Sequence, residues 1–285
     1  MSSLENKVCL VTGGANGLGA ASAQGLARAG ACVVLCDRDP AGLQATAAQI
    51  ATHVSADRVR TVVVDVTLER DVEAAVQFAV HAFGRVDVLL NNAGTGAQIV
   101  RPDFISASLK SWDVTVAQWR RIIEVNTIAP FAFARALIPG MVARGWGRII
   151  NVSTTWETML RPGFASYGPS KAALEAMSAA MARELQGTGV TVHTLHPGGP
   201  VDTAQVPSDI GVARERLLRP DVMVPALVWL CSSAADNATG QRVTAAAWRA
   251  NASVVDNLAA ATEPVAWPQL VRPIVVAERG HLAAI

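Results

Sequence analysis

The chain has 285 residues, of which 51% are hydrophobic and 16% are charged. Its 24 Lys and Arg oppose 23 Asp and Glu, which leaves a formal net charge of +1 at pH 7. This composition predicts a folded protein with a well-filled core and excludes extensive disorder. Because there is no basic excess and no uncharged apolar run of about 18 residues, we expect binding neither to nucleic acid nor to a membrane.

Taken in chain order, short apolar runs alternate with longer helical patterns. Strands are predicted at 8–12, 32–36, 59–64, 86–91, 148–152, 190–195 and 242–244, and helices at 17–30, 40–53, 68–83, 116–144 and 165–186. Alternation of this kind indicates a parallel sheet covered on both faces. The predicted fold class is therefore α/β, with a doubly wound parallel sheet and helices on both of its faces.

Two segments outside this alternation receive separate predictions. Residues 202–220 are predicted to form a helix that covers the ligand pocket. Residues 1–248 are assigned to one catalytic domain, and residues 249–285, which contain Pro264, Pro268 and Pro273, are predicted to form an irregular tail.

The four cysteines are interpreted as small core residues. Three of Cys9, Cys32, Cys36 and Cys231 fall in short apolar runs. Cys32 and Cys36 are four residues apart in a predicted strand, too far to form a disulfide, and the spacing does not fit a zinc site. We expect reduced thiols in a cytoplasmic protein, and no metal site.

A glycine-rich turn follows the first predicted strand. Residues 12–19 read TGGANGLG and open a predicted helix. Glycines permit a tight turn and let backbone N–H groups approach a pyrophosphate, which the positive end of the helix dipole also attracts. A strand, a glycine turn and a helix in a βαβ unit together indicate a dinucleotide site, although the G-x3-G-x-G spacing differs from the common fingerprint.

Acidic residues at the ends of the next two strands refine the expected cofactor. Asp37 lies 18 residues after Gly19, where a carboxylate binds ribose hydroxyls and repels a 2′-phosphate, which favours NAD over NADP. Arg38 follows immediately and offers the alternative of binding that phosphate. Asp65 is placed near the adenine, with helix capping as its alternative.

Tyr167 and Lys171 are the candidate reacting groups. Tyr167 is the only tyrosine in the chain, and i,i+4 spacing puts Lys171 on the same helix face. A cation about 4 Å away stabilises a tyrosinate by roughly 4 kcal/mol at an effective dielectric of 20, which lowers the pKa by up to about three units. For this pair alone, an ordinary buried tyrosine beside a solvated lysine remains the alternative.

Six motifs together resemble those of the short-chain dehydrogenase/reductase family. They are Thr12-Gly13-x3-Gly17-x-Gly19, Asn91-Asn92-Ala93-Gly94, Asn126, Tyr167-x3-Lys171, Pro197-Gly198 and Thr239-Gly240-Gln241. The resemblance covers about residues 5–248 and implies a Rossmann-type domain in the compact branch of the family. It also implies a homo-oligomer, either a tetramer or a dimer.

The resemblance implies a role for each matched residue. Tyr167 becomes the general acid/base, Lys171 lowers its pKa and holds the nicotinamide ribose, and Asn126 anchors a water that links Lys171 to solvent. The implied cofactor-binding set is Gly13, Asn16, Gly17, Leu18, Gly19, Asp37, Arg38, Asp65, Val66, Asn91, Ala93, Gly94, Tyr167, Lys171, Pro197, Gly198, Val201 and Thr203.

Thr154 occupies the position of the family's catalytic serine, thirteen residues before the tyrosine. Its hydroxyl keeps the ability to hydrogen-bond a developing alkoxide, so that we assign it this role. Ser153, one residue earlier, is the alternative.

The segment after Thr154 borders the substrate in the resemblance. Trp156 and Met159 are assigned to an apolar substrate wall together with Thr154 and Tyr167, with core packing as their alternative. The leading prediction is an NAD-dependent dehydrogenase or reductase for a hydrophobic or cyclic secondary alcohol or ketone. The alternatives are a sugar or dihydrodiol dehydrogenase, a lyase or isomerase using the same site, and a non-catalytic dinucleotide-binding scaffold.

Overall fold

The fold is described by a computed structural model that covers residues 3–104, 109–206 and 210–270, together with the backbone of 275–278 and 281–284. The main sheet contains β1 (Val8–Thr12), β2 (Cys32–Asp37), β3 (Val59–Val63), β4 (Val88–Asn91), β5 (Gly147–Val152), β6 (Val190–His196), β7 (Gln241–Thr244) and β8 (Thr262–Pro264). Its strand order is β3-β2-β1-β4-β5-β6-β7-β8, and only the last pair is antiparallel. The predicted doubly wound α/β fold is confirmed.

Helices cover both faces of this sheet. They are α1 (Gly17–Arg28), α2 (Pro40–Ala51), α3 (Glu69–Phe83), α4 (Val116–Ile123), α5 (Ala129–Ala143), α6 (Trp156–Leu160), α7 (Tyr167–Glu184), α8 (Val224–Leu230) and α9 (Val254–Ala261). Helices α1, α2 and α8 pack into one hydrophobic cluster, and α3, α5 and α7 pack into another. Successive residues of the central strands alternate between the two clusters, as the two-residue period of a strand requires.

The helix predicted over 202–220 is wrong in the residues that the structure describes. A β-bridge joins Val201 to Leu218, and the only helical turn between them in the described residues is a short 3₁₀ turn at Arg214–Arg216. Asp202 holds this loop through an ion pair of 2.7 Å with Arg214. Polar cross-links of this kind stabilise a loop that lacks the apolar periodicity of a helix. Residues 207–209 lie outside the described part.

The prediction of an irregular tail is wrong for its first half. Ser253 caps α9 by accepting a hydrogen bond from the backbone of Asp256, and α9 leads directly into β8, which pairs with β7. Pro264 is the last residue of this edge strand, a position where the missing N–H costs no ladder bond. Farther along, β9 (Val275–Glu278) and β10 (His281–Ala284) form a separate antiparallel hairpin. The division into residues 1–248 and 249–285 stays a prediction.

The predicted helix over 116–144 consists of α4, a π-helical turn at Glu124–Ile128 and α5. Within the described residues, this 28-residue helix is the one segment long and apolar enough to cross a bilayer, and 44% of its apolar window is buried. Phe133, Leu137 and Met141 contact the hydrophobic cluster beneath the sheet. Packing inside the protein therefore accounts for the apolarity of one face of the helix.

Candidate active site

A cavity of about 950 Å³ lies at the carboxyl ends of the strands. The glycine turn forms one wall, and Thr154, Tyr167 and Lys171 form another. This is the edge where ligands bind in doubly wound sheets, because the loops after parallel strands converge there. The two halves of the predicted site therefore belong to one cavity.

The glycine turn shows why these positions exclude side chains. Gly13 and Gly17 have φ values of +67° and +55°, a region that other residues adopt only with strain. A Cβ on Gly19 would lie 2.0 Å from the carbonyl oxygen of Gly13, so that Gly19 permits close packing within the turn. Gly13, Asn16, Gly17 and Leu18 line the cavity, and α1 begins there with its positive dipole end.

Asp37 and Arg38 both lie on the cavity wall. The Asp37 carboxylate accepts hydrogen bonds from the backbone N–H groups of Ala15 at 3.1 Å and Asp39 at 3.2 Å. It therefore fixes the shape of the glycine turn, while a carboxylate still has lone pairs left for further donors. The Arg38 side chain is exposed beside it.

Asp65 combines the two roles that the sequence left open. It lines the cavity beside Val66, and its carboxylate accepts hydrogen bonds from the Thr67 backbone at 3.0 Å and the Thr67 hydroxyl at 2.7 Å. Arg121 forms an ion pair with it at 3.2 Å. Burial alone would raise the pKa of the Asp65 carboxyl, but these partners together lower it.

The loop after β4 differs from the expectation at one residue. Ala93 and Gly94 line the cavity, together with Asn92. Asn91 lies inside the sheet instead, where its amide donates to Asn151 Oδ1 at 2.8 Å. The prediction that Asn91 contacts the cofactor is therefore wrong, because it is the last residue of β4 and its side chain packs against β5.

The loop after β6 closes the cavity as the motif implied. Pro197, Gly198, Val201 and Thr203 all line it. The Thr203 methyl lies 3.2 Å from the position of a Cβ on Gly17, so that this loop approaches the glycine turn directly. The predicted cofactor residues of the glycine turn and of the loop after β6 thus share one wall.

Thr154 and Tyr167 line the same cavity. Burial raises the pKa of Tyr167 to about 12, and the Thr154 side chain, as a hydrogen-bond partner for the phenol, partly opposes this increase. The Ser153 hydroxyl donates to Glu175 at 2.6 Å instead. The geometry therefore favours Thr154 over Ser153 as the partner of the phenol.

Lys171 lies beside the Tyr167 ring and has a backbone partner of its own. Its ammonium lies 5.8 Å from the centroid of the Tyr167 ring and donates to the carbonyl of Val152 at 2.8 Å. Burial lowers the pKa of Lys171 to about 8, and the nearby Glu175 carboxylate raises it. The lysine is thus held against β5 by its bond to the Val152 carbonyl.

Asn126 lies in the π-helical turn and is fully buried. Its amide donates to the carbonyl of Thr95 at 2.7 Å and to the Ser170 hydroxyl at 2.9 Å, and it accepts from the Thr95 backbone. A π turn widens the helix locally and is frequent at functional sites. The position of Asn126 beside Gly94 and Lys171 is compatible with its predicted role.

Trp156 and Met159 do not form the expected substrate wall. The Trp156 ring stacks on the guanidinium of Arg242 at 4.1 Å, on the side of the C-terminal segment, and Met159 is 6% exposed. A Cβ on Gly168 would lie 2.0 Å from the Met159 carbonyl, so that α6 packs tightly on α7 here. Core packing, the alternative given for both residues, describes Met159, whereas Trp156 is half-buried between Arg242 and Trp267.

Other residues line the substrate side of the cavity, and among the polar ones only Glu157, expected as a polar contact of the substrate, had a sequence signal. Phe164 packs edge-on against both Phe104 and Tyr167, with ring centroids 5.5 and 6.2 Å apart. Polar side chains share this wall, and the Gln205 amide donates to the Gly94 carbonyl at 2.9 Å. These polar residues are Gln98, Thr155, Glu157, Thr158, Arg161 and Gln205. Of the aromatic residues on this wall, only Phe164 lies close in sequence to the Tyr167-x3-Lys171 motif, three residues before Tyr167.

The residues present fit a nicotinamide dinucleotide. The glycine turn leaves a cradle that a Cβ on Gly17 would fill, and helix α1 begins at this turn. Asp37 lines the same cavity. Such a cradle suits a pyrophosphate, and the acid suits a ribose. Gly13, Asn16, Gly17, Leu18 and Asp37 would hold the adenosine half, and Lys171, Val201 and Thr203 the nicotinamide half.

Comparison with known proteins agrees with this geometry. The family model described as short chain dehydrogenase matches residues 7–209. A curated relative, the 3-oxoacyl-[acyl-carrier-protein] reductase FabG of Vibrio cholerae, is 35% identical over 195 residues, 68% of this chain and 74% of that protein. The 2,5-dichloro-2,5-cyclohexadiene-1,4-diol dehydrogenase LinX of Sphingobium indicum is 37% identical over 210 residues, 73% and 79% of the two chains.

Two solved structures have the same fold. The 3-ketoacyl-(acyl-carrier-protein) reductase from Brucella melitensis, complexed with NADH, is 33% identical with a TM-score of 0.71, covering 83% of this chain and 95% of its own. A metagenomic short-chain oxidoreductase in complex with NADP is 29% identical with the same TM-score, covering 85% and 97%. The family model, these relatives and the site geometry lead to one conclusion: the chain belongs to the short-chain dehydrogenase family of oxidoreductases.

Proposed function

We propose that the protein transfers a hydride between NAD(H) and a secondary alcohol or ketone, with Tyr167 as general acid/base. The observation that carries this proposal is that Thr154, Tyr167 and Lys171 line the same cavity as the glycine turn. A bound nicotinamide dinucleotide would supply the hydride donor or acceptor. The protein supplies position and proton transfer.

The proton is handled by residues of this chain. With a pKa of about 12, the Tyr167 phenol is protonated at neutral pH and is ready to donate to the oxygen of a ketone. Thr154 offers a second hydroxyl to the same developing alkoxide, which stabilises its charge. In the oxidative direction Tyr167 must accept a proton, and this requires its pKa to fall when the site is filled.

NAD is proposed over NADP because of Asp37. Its carboxylate lies on the wall where a 2′-phosphate would stand and would repel that group. Arg38 beside it supports the alternative, and the two solved structures named above carry NADH in one case and NADP in the other. Fluorescence titration with NADH and NADPH tests the choice, because a preference for NADPH contradicts it.

A hydrophobic, cyclic substrate is proposed because Phe104 and Phe164 continue the wall beside Tyr167. Flat apolar rings pack well against aromatic faces and edges. The residues carrying this part of the proposal differ from the Trp156 and Met159 expected from the sequence.

A dihydrodiol or sugar dehydrogenase is the second candidate. Thr155, Glu157 and Gln98 supply hydroxyl, carboxylate and amide groups on the same wall, and these can bind a second hydroxyl group. The name of the Sphingobium relative is that of a dehydrogenase for a cyclic diol. This observation favours the diol within the enzyme class.

The decisive experiment is a panel of simple alcohols, cyclic ketones and cis-diols with NAD and NADP, read by nicotinamide absorbance. Turnover of cyclic ketones or alcohols with NAD(H) supports the first candidate, and a strong preference for diols supports the second. Cofactor binding without any turnover would favour a scaffold, and product formation without an absorbance change a lyase or isomerase. We also propose a homo-oligomeric, cytoplasmic protein, which sedimentation and cell fractionation test.

A further inference from the structure

Three consecutive residues after β5 are each held by a charged side chain. In the segment 152–154, the Val152 carbonyl accepts a hydrogen bond from Lys171 Nζ at 2.8 Å. The Ser153 hydroxyl donates to Glu175 Oε1 at 2.6 Å. The Thr154 carbonyl accepts a hydrogen bond from Arg242 Nη2 at 2.5 Å. This segment carries the Thr154 hydroxyl, so that its position decides how that hydroxyl meets the phenol.

Arg242 connects this segment to its surroundings with three different nitrogens. Besides the bond to Thr154, Nε donates to Glu175 Oε1 at 3.0 Å and Nη1 donates to Glu263 Oε1 at 2.6 Å. The guanidinium plane lies 4.1 Å from the ring centre of Trp156, and the side chain is 2% exposed. Because the guanidinium is planar and rigid, each contact restricts the direction of the others.

We propose that Arg242 is a positioning residue of the reaction, which holds the 152–154 segment so that the Thr154 hydroxyl reaches Tyr167. The same arginine connects this segment to the C-terminal strand β8 through Glu263. This inference rests on the proposed function, because it assigns a role in the step that Thr154 and Tyr167 perform.

Glu263 makes the C-terminal segment part of this arrangement. Its Oε1 accepts from Arg242 and also from the indole N–H of Trp156 at 3.1 Å. Trp156 begins α6, directly after the 152–154 segment, so that Glu263 holds the segment from two directions. The contribution of β8 to catalysis therefore passes through one half-exposed carboxylate.

The first test compares kinetics of Arg242→Met with those of Arg148→Met. Arg148 is also buried, stacks on Trp146 at 4.2 Å and pairs with Asp236, but it lies at the opposite end of the sheet. We expect Arg242→Met to lower kcat about 100-fold while the Kd for NADH changes less than twofold, since a displacement of about 1 Å has this effect. Arg148→Met keeps its kcat at temperatures where it is folded.

The second test asks whether Arg242 acts through Thr154. If it does, adding Arg242→Met to Thr154→Ala lowers kcat by less than threefold, since the hydroxyl to be positioned is already gone; effects of residues that act as a unit do not add. Full multiplication of the two losses would overturn the proposal, because it would show an effect independent of Thr154.

A milder matched pair covers the case in which Arg242→Met fails to fold. Glu263→Gln and Asp236→Asn each neutralise a half-exposed acid that pairs with a buried arginine and accepts from a tryptophan N–H at 3.1 Å. We expect Glu263→Gln to lower kcat about tenfold and Asp236→Asn to leave it unchanged. Equal kcat values in the two variants would overturn the proposal.

A third readout requires no turnover and separates this inference from the proposed function. Since Tyr167 is the only tyrosine, ¹³Cζ-tyrosine labelling produces a single NMR resonance from the phenol. We expect Thr154→Ala and Arg242→Met to shift it in the same direction, while Asp236→Asn leaves it in place. An unmoved resonance in folded Arg242→Met, or in Glu263→Gln if Arg242→Met does not fold, would overturn the positioning role even if the wild type turned over no alcohol or ketone.

Discussion

The two ends of the sheet each contain a buried arginine stacked on a tryptophan, yet they serve different purposes. At the amino end, Arg148 pairs with Asp236 and donates to the carbonyls of Gly147 at 2.9 Å and Ser232 at 3.3 Å. At the carboxyl end, Arg242 makes the same kinds of contact with Glu175, Glu263 and the segment that carries Thr154. Equal chemistry thus stabilises the fold at one end and positions reacting groups at the other.

The difference arises from where each arginine sits in the strand register. Arg148 lies near the start of β5, whereas Arg242 pairs with Thr194 near the end of β6, which in turn pairs with Asn151. In a parallel sheet only the carboxyl ends border the cavity. Substitution of either arginine is therefore expected to lower the stability of the protein, but only substitution of Arg242 is expected to lower kcat.

The largest expected effect at the carboxyl end is that of Tyr167→Phe. Removing the phenolic oxygen removes the proposed general acid/base, and we expect kcat to fall about 10³-fold with little change in thermal stability. Steady-state kinetics and calorimetry measure the two quantities. Full activity in this variant would remove the proposed mechanism altogether.

Thr154→Ala is expected to lower kcat about 10²-fold, because one hydroxyl that meets the developing alkoxide is lost. Thr154→Ser keeps the hydroxyl and most of the activity, which makes it the matched control. If Ser153→Ala lowered kcat more than Thr154→Ala, the catalytic hydroxyl would belong to Ser153 and not to Thr154.

Asp37→Ala is expected to reduce the preference for NADH over NADPH about tenfold, since the repulsion of a 2′-phosphate is removed. The ratio of the two Kd values, measured by fluorescence, is the readout. Because Asp37 also accepts from the backbone of Ala15, Asp37→Asn serves as a control that keeps the shape of the turn. An unchanged ratio in both variants would assign Asp37 to the turn alone.

Asp236→Asn is expected to affect the amino end only. It replaces a charged acceptor of Arg148 and Trp146 by a neutral one, at a cost of about 1 kcal/mol in unfolding free energy and about 3 °C in Tm. Calorimetry measures this loss. A loss of kcat in the same variant would break the division between the two ends.

The last prediction concerns pH, and it involves one histidine near each arginine. Burial, and secondarily the charge of Arg148 or Arg242, lowers the pKa of His193 and His196 from 6.5 to about 3. Between these values the unfolded chain binds more protons than the folded one, so stability is complete above pH 6.5 and falls as the pH falls toward 3.

Each histidine contributes about 1.4 kcal/mol per pH unit to this slope. Urea unfolding between about pH 6 and pH 4.5, above the range where most carboxylates titrate, measures it. His193→Gln should reduce the slope by one histidine's share. A slope identical to that of the wild type would contradict the buried neutral state.

The sequence by itself determined the fold class and the position of the reacting groups. Short apolar runs specify strands locally, and longer patterns with a helical period specify helices. The glycine turn must be built from glycines because other residues are strained or too large there. Tyr167 and Lys171 are recognisable because their spacing and the rarity of tyrosine leave a signal in the chain, whereas Asn126 was assigned only through the family resemblance.

Only the tertiary structure decided which side chains meet across the sheet. Asn91 and Trp156 belong to suggestive segments but face other partners, and Arg242, Glu175 and Glu263 are far apart in sequence and meet in one network. Strand order and register are produced by long-range packing, which no local pattern encodes. For the same physical reason, the tail that looks irregular by its prolines supplies a strand to the sheet and a carboxylate to the network around Arg242.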